Sequence, residues 1–244
     1  MGRSAEEKVV RLTATWYDSS LKNVYSYFLT DIYEYLLMST EELYQQLKNK
    51  NPRLRERAMR QIAAERTENT IPELMAILGD EDVVYRRAAV QTLGVIGLDS
   101  VPILAETLTT SENNTVRASC AKALAAIALN YSEETFPTVG LQSLQTALKD
   151  PDPVVKISTV GALGTIGPPA FEALVAALDI DDIALQVTVL QALGSLGDER
   201  AMEVLSVMAE NQEADPYIRE SAASSISRLE QIINFASTRK GARE

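Results

Sequence analysis

Apolar positions recur along this chain on two scales. Within a segment they follow helical spacing: Val155, Thr159, Leu163 and Ile166 stand at offsets of 0, 4, 8 and 11, one side of an α-helix. Between segments the same stripe returns. Its first position is Leu54, Tyr85, Val116, Val155, Leu185 and Ile218, at separations of 31, 31, 39, 30 and 33 residues. Four residues on come the small or medium Ala58, Ala89, Cys120, Thr159, Val189 and Ala222, and eight on come Ile62, Leu93, Leu124, Leu163, Leu193 and Ile226. Only the first copy ends its stripe on a charge, Glu65, where the others have Ile96, Ile127, Ile166, Leu196 and Leu229.

Three residues before each stripe stands a short acceptor side chain: Asn51, Asp82, Asn113, Asp152, Asp182 or Asp215. Such a residue caps a helix by accepting from backbone N–H groups. Pro52, Pro153 and Pro216 follow in three copies and fix φ where no helical N–H is required. Upstream of these turns lies another apolar segment of about three turns, for example "TIPELMAILGD" and "SVPILAETLTT". The pattern predicts helix pairs of which each has a side that only the next pair can cover, an all-α solenoid.

Composition narrows the chemistry. The chain has 244 residues, 46% of them hydrophobic, and no apolar run long enough to span a bilayer is expected. Its N-terminus lacks a secretory pattern, which predicts an intracellular protein. It has no histidine, which removes imidazole bases and His-ligated metals. One cysteine, Cys120, makes neither a disulfide nor a thiolate cage, and no metal site is expected. A formal charge of −11 argues against nucleic acid as a ligand.

The recurring "D/N-P-x-V-R-x-x-A-x-x-A-L-G-x-I-G" resembles HEAT repeats of the phycobilisome-lyase type, over roughly residues 40 to 230. The closest copies are 82–97, 113–128, 152–167 and 182–197. Departures are Gln186 in place of Arg or Lys, a degenerate last copy around "SSISRLE", and an eight-residue enlargement around "NYSEETFP". The resemblance implies a right-handed α-solenoid of about six hairpins over residues 39–234, preceded by an aromatic helical extension (1–38) and followed by a polar tail (235–244). Relatives of this type include the cyanobacterial E/F-type bilin lyases, NblB-like proteins and IaiH-like partners of IscA-type iron–sulfur scaffolds. The implied function is a protein-binding factor of phycobilisome biogenesis or turnover, lyase-like or chaperone-like, in cytoplasm or plastid stroma. Its implied partner is a phycobiliprotein subunit, with or without a phycobilin as cofactor, or another HEAT-repeat chain. The alternative is an adaptor for an IscA-type protein. Whether it is an enzyme stays open, and no catalytic residue is assigned.

Candidate binding residues fall in three groups. Eight of the 14 aromatics crowd the first 45 positions, and Tyr27 and Tyr33 lie off that segment's main stripe, as interface anchors do. The rival reading is a helix that caps the solenoid. The second group, Ile157 and Val187 flanked by Val160 and Leu190, forms an apolar strip two and five residues into the fourth and fifth stripes; its rival is packing between repeats. The third, Arg117 and Lys156 from the ladder that follows each stripe's first residue, supplies contacts for an anion or propionate. Its rival is pairing with acids of adjacent repeats. Cys120, in the row of Ala89 and Ala222, reads as buried and inert.

Overall fold

A computed structural model describes residues 38–241, with side chains to residue 235. Tyr27, Tyr33 and the aromatic segment around them lie outside the described residues. Among those described, twelve α-helices and no strand occur: α1 Thr40–Gln46, α2 Pro52–Ala64, α3 Thr70–Ile77, α4 Val83–Ile96, α5 Val101–Thr110, α6 Asn114–Asn130, α7 Thr138–Ala147, α8 Pro153–Ile166, α9 Phe171–Ala177, α10 Ile183–Ser195, α11 Ala201–Glu210 and α12 Pro216–Gly241. The chain divides into two units, Met1–Gln46 and Leu47–Glu244. In the first, α1 opens on a capping box: the Ser39 hydroxyl accepts from the Glu42 N–H at 3.3 Å, and the Glu42 carboxylate accepts from the Ser39 N–H at 2.8 Å.

The second unit is an α-solenoid. Helices α3, α5, α7, α9 and α11 each pack on the helix that follows them, and α2, α4, α6, α8, α10 and α12 pack on one another in series. The stripe is the reason. Its fourth-offset residue is wholly buried in all six copies, Ala58, Ala89, Cys120, Thr159, Val189 and Ala222. Beside it Leu93, Leu124, Leu163 and Leu193 are buried completely, each contributing about 1.5–3 kcal/mol.

The turns are tied as the acceptor residues predict. Asp82 accepts from the N–H groups of Val84 and Tyr85, Asn113 from Thr115 and Val116, and Asp152 from Val154 and Val155. A substitution to Ala at such a cap costs about 1 kcal/mol. The ladder residue one past the stripe's start then closes over the turn behind it: Arg55 Nη1 donates to the Asn49 carbonyl at 2.6 Å, Arg117 Nη1 to that of Ser111 at 2.9 Å, and Arg86 to that of Asp80. Where the ladder has Gln186, its amide donates to the Leu178 carbonyl at 2.7 Å, so the departure from Arg or Lys keeps the clasp.

Two glycines in the repeat do separate jobs. The first lies in the seam between successive second helices: a methyl group on Gly94 would stand 2.6 Å from Ala126 Cβ, and one on Gly194 would stand 2.7 Å from Ser225 Cβ. The second, three residues later, ends the helix at positive φ: 87° at Gly97, 84° at Gly167 and 71° at Gly197. At Gly97 the chain bends by 115° into the next hairpin. Where the residue is Ala128, α6 runs on to Asn130; where it is Glu230, α12 runs on to Gly241. The enlarged third connection has its own use: Asn130 Nδ2 donates to the Gly94 carbonyl at 3.0 Å, and the Tyr131 hydroxyl to that of Val95 at 2.7 Å, satisfying the open end of α4.

Gly97 has ψ −144°, a combination only glycine holds without strain, and a Cβ there would lie 2.4 Å from the Tyr131 ring. Gly97→Ala is expected to lower the urea unfolding free energy by about 2 kcal/mol; an unchanged midpoint would show that α4 does not need this turn.

Candidate functional site

Each of the inner second helices, α4, α6, α8 and α10, is buried over most of its circumference, by its own first helix and by the second helices on both sides. What remains open is a narrow arc at offsets −1, +2, +6 and +10 from the stripe's start, interrupted at +2 of α6, where Ala118 is buried. The +6 row, Arg60, Gln91, Lys122, Gly161, Gln191 and Ser224, is exposed in every copy. The −1 and +2 rows turn apolar towards the middle, with Val154 55% exposed, Ile157 49% and Val187 half-buried.

Of the four residues of the expected strip, Ile157 and Val187 therefore reach this face. Val160 and Leu190 do not: both are wholly buried. Offset +5 stays inside because a solenoid helix packs against the next hairpin as well as its own, so those two residues are core.

Arg117 and Lys156 point to the turns. The Arg117 guanidinium makes a two-pronged pair with Asp150, Nε to Oδ2 at 2.7 Å and Nη2 to Oδ1 at 2.9 Å, with side chains 12% and 8% exposed. Lys156 pairs with Asp182. Both pairs join one repeat to the turn of the next. Burial pushes the Asp150 carboxyl up, but the Arg117 hydrogen bonds, the Asp152 N–H and the guanidinium charge outweigh it and hold the carboxyl below its ordinary value. Two open hollows of about 740 and 840 Å³, of mixed polar and apolar lining, flank this pair, lined in part by Asn114, Asp152 and Pro153, and by Gln142, Thr146 and Lys149.

The face carries charge that the sequence pattern did not single out as a site. Its exposed positions hold five cations, Arg53, Arg60, Arg87, Lys122 and Arg228, and two carboxylates, Glu56 and Glu220, in a chain whose formal charge is −11. Glu56 is taken up by Arg60 at 2.7 Å. Arg87 and Lys122 have no ion pair among the described residues. Partial desolvation, then the charges of Arg86 and Arg87, pull the Lys122 ammonium below its ordinary value. The signal was present as Lys122 standing six past Val116, a row hidden until the open arc was known.

Cys120 is wholly buried, and burial pushes its thiol up to about 12. It is a neutral packing residue at any physiological pH. Among the described residues no group of three or more Cys, Asp or Glu side chains is placed to hold a metal ion, and no single helix is long and apolar enough to cross a membrane.

HEAT repeats match residues 40–125 and 141–227. Phycocyanin operon protein Z of Pseudanabaena tenuis is 45% identical over 199 residues, 81% of this chain and 98% of that protein. Bilin biosynthesis protein CpeZ of a Synechococcus strain is 28% identical over 68% of this chain and 92% of that protein. Among solved structures, the CpcE–CpcF complex of phycocyanin lyase from a Nostoc strain superposes with a TM-score of 0.45 at 19% identity, covering 63% of this chain and 96% of that one.

Removing one partner of the largely buried Arg117–Asp150 pair strands the other, so Arg117→Ala is expected to lose about 2 kcal/mol at neutral pH. The native Asp150 pKa is depressed, so the pair's contribution is complete above the unfolded carboxylate pKa of about 4 and is lost as pH falls through the native value. In urea titrations the gap between the two proteins should narrow in acid to what the Arg117 clasp on the Ser111 carbonyl contributes; a gap of unchanged size below that range would remove the ion pair as its cause.

Proposed function

This chain belongs to the HEAT-repeat family and is a homologue of phycocyanin operon protein Z, and from that membership we propose that it acts in phycobilisome biogenesis by binding a phycobiliprotein subunit. The observation that carries the reading is the 45% identity extending over 98% of the Pseudanabaena protein and 81% of this chain, many repeats and not one. The name of the Synechococcus relative, a bilin biosynthesis protein, supports the same setting.

Within that setting the reading is of a factor that holds its partner in a chaperone-like manner. Three things support holding over lyase chemistry: a single thiol buried in the core, hollows that are open, and an exposed face that carries cations beside apolar side chains. Such a face suits gripping another protein surface.

The test is capture of partners by the tagged full chain from a cyanobacterial lysate, identified by mass spectrometry. Phycobiliprotein subunits are the expected catch; an IscA-type iron–sulfur scaffold in their place would overturn the proposal. Mixing the purified chain with phycocyanobilin alone should leave the visible spectrum unchanged, and a shifted, intensified red band would assign bilin handling to this chain.

A further inference from the structure

We infer that the open arc of the second helices, from α4 to α10, docks an acidic amphipathic helix of a partner protein. Arg87 and Lys122 receive its carboxylates, Val154, Ile157 and Val187 receive its apolar side, and Gly161 supplies the clearance. The inference rests on the reading of this chain as a protein-binding factor, not on which protein it binds.

Charge selects the sign of the occupant. In a chain of formal charge −11, this face gathers cations, and the two nearest its centre lack carboxylate partners among the described residues. An uncompensated pair of cations at the edge of an apolar patch is complementary to an anionic surface with an apolar stripe.

Spacing selects a helix. The second helices pack serially, so equivalent side chains on α8 and α10, such as Ile157 and Val187, repeat at the interaxial distance of about 8–10 Å. A helix laid across them presents residues i and i+7 about 10.5 Å apart, which matches one anchor per repeat. Continued towards α6 and α4, the same helix meets Lys122 and then Arg87.

Gly161 is the independent observation. It is exposed in the middle of α8, and a Cβ built on it meets nothing within 4 Å among the described residues. Packing among those residues does not ask for glycine there, while a glycine within a helix is a destabilising choice. Its place on the open side, one turn after Ile157 and in the row of Lys122, leaves room for another backbone to approach.

The probe is a synthetic amphipathic helix with leucines on one side and glutamates on the other, labelled and titrated with the full chain by fluorescence anisotropy. Arg87→Glu/Lys122→Glu and Ile157→Asp are each expected to weaken binding about tenfold or more. Gly161→Leu should do the same while thermal unfolding by circular dichroism shows the fold retained, and Val207→Asp on α11 should leave binding unchanged. The charge-reversed double variant should prefer a probe with lysines in place of glutamates. Equal binding of both probes by the natural chain, or affinity indifferent to all three face variants, would overturn the inference. So would sedimentation showing a dimer that Ile157→Asp dissociates, because the occupant would then be a second copy. A variant that has lost the probe but still captures phycobiliprotein subunits refutes this face and leaves the proposed partner standing.

Discussion

Everything in this fold depends on how closely one second helix can approach the next. A hairpin of two short helices has apolar surface on more than one side and only one internal partner, so alone it leaves its core half wet. The repeat solves this with residues small enough to bring backbones together: Gly94 against Ala126, Gly164 against Ala192 and Gly194 against Ser225. Once those seams form, the fourth-offset row has no space for anything large. Cysteine at 120 is then one more small residue, and its thiol is silenced by the same burial that makes the seam.

The seam also decides what charge is available for recognition. A side chain one residue past the stripe's start swings towards the turn, where Arg117 meets the Ser111 carbonyl and Asp150, and Lys156 meets Asp182. A side chain one residue further round emerges on the open arc. Arg86 and Arg87 are neighbours in sequence with opposite fates: the first is held on its own turn at Asp80, and the second is left facing out. A rotation of about 100° separates a structural cation from one that can receive a ligand.

The solenoid, its six stripes, the capped turns and the enlargement at the third repeat were all legible in the sequence, because each is a local rule written several times. The two kinds of glycine were only half legible. Their recurrence was plain, but that Gly94 marks a seam and Gly97 a terminator follows from packing and from φ. Val160 and Leu190 were placed on the surface because a stripe at offsets 0, 4, 8 and 11 reports contact with one partner helix, and a helix within a stack has three. The ladder at Arg117 and Lys156 was visible as a row of cations, yet which carboxylates lie within reach is set by the register between repeats, which one copy alone does not encode. Lys122 was missed for the same reason, since the open arc is whatever three contacts leave over.

Six internal copies let a single chain act as its own comparison. Packing demands the same answer at offsets 4 and 8 each time, and it gets it: small or medium, then large and apolar. At offset 6 packing demands nothing, since that row is exposed throughout, and the residues are Arg, Gln, Lys, Gly, Gln and Ser. Offset 2 reads Glu, Arg, Ala, Ile, Val and Glu, a passage from charge to apolar and back along the stack. A solenoid selected only for stability would fill such rows with good helix formers and leave neither an isoleucine nor a glycine in water. The exposed Ile157 and Gly161 are therefore departures that the packing of the described residues does not ask for.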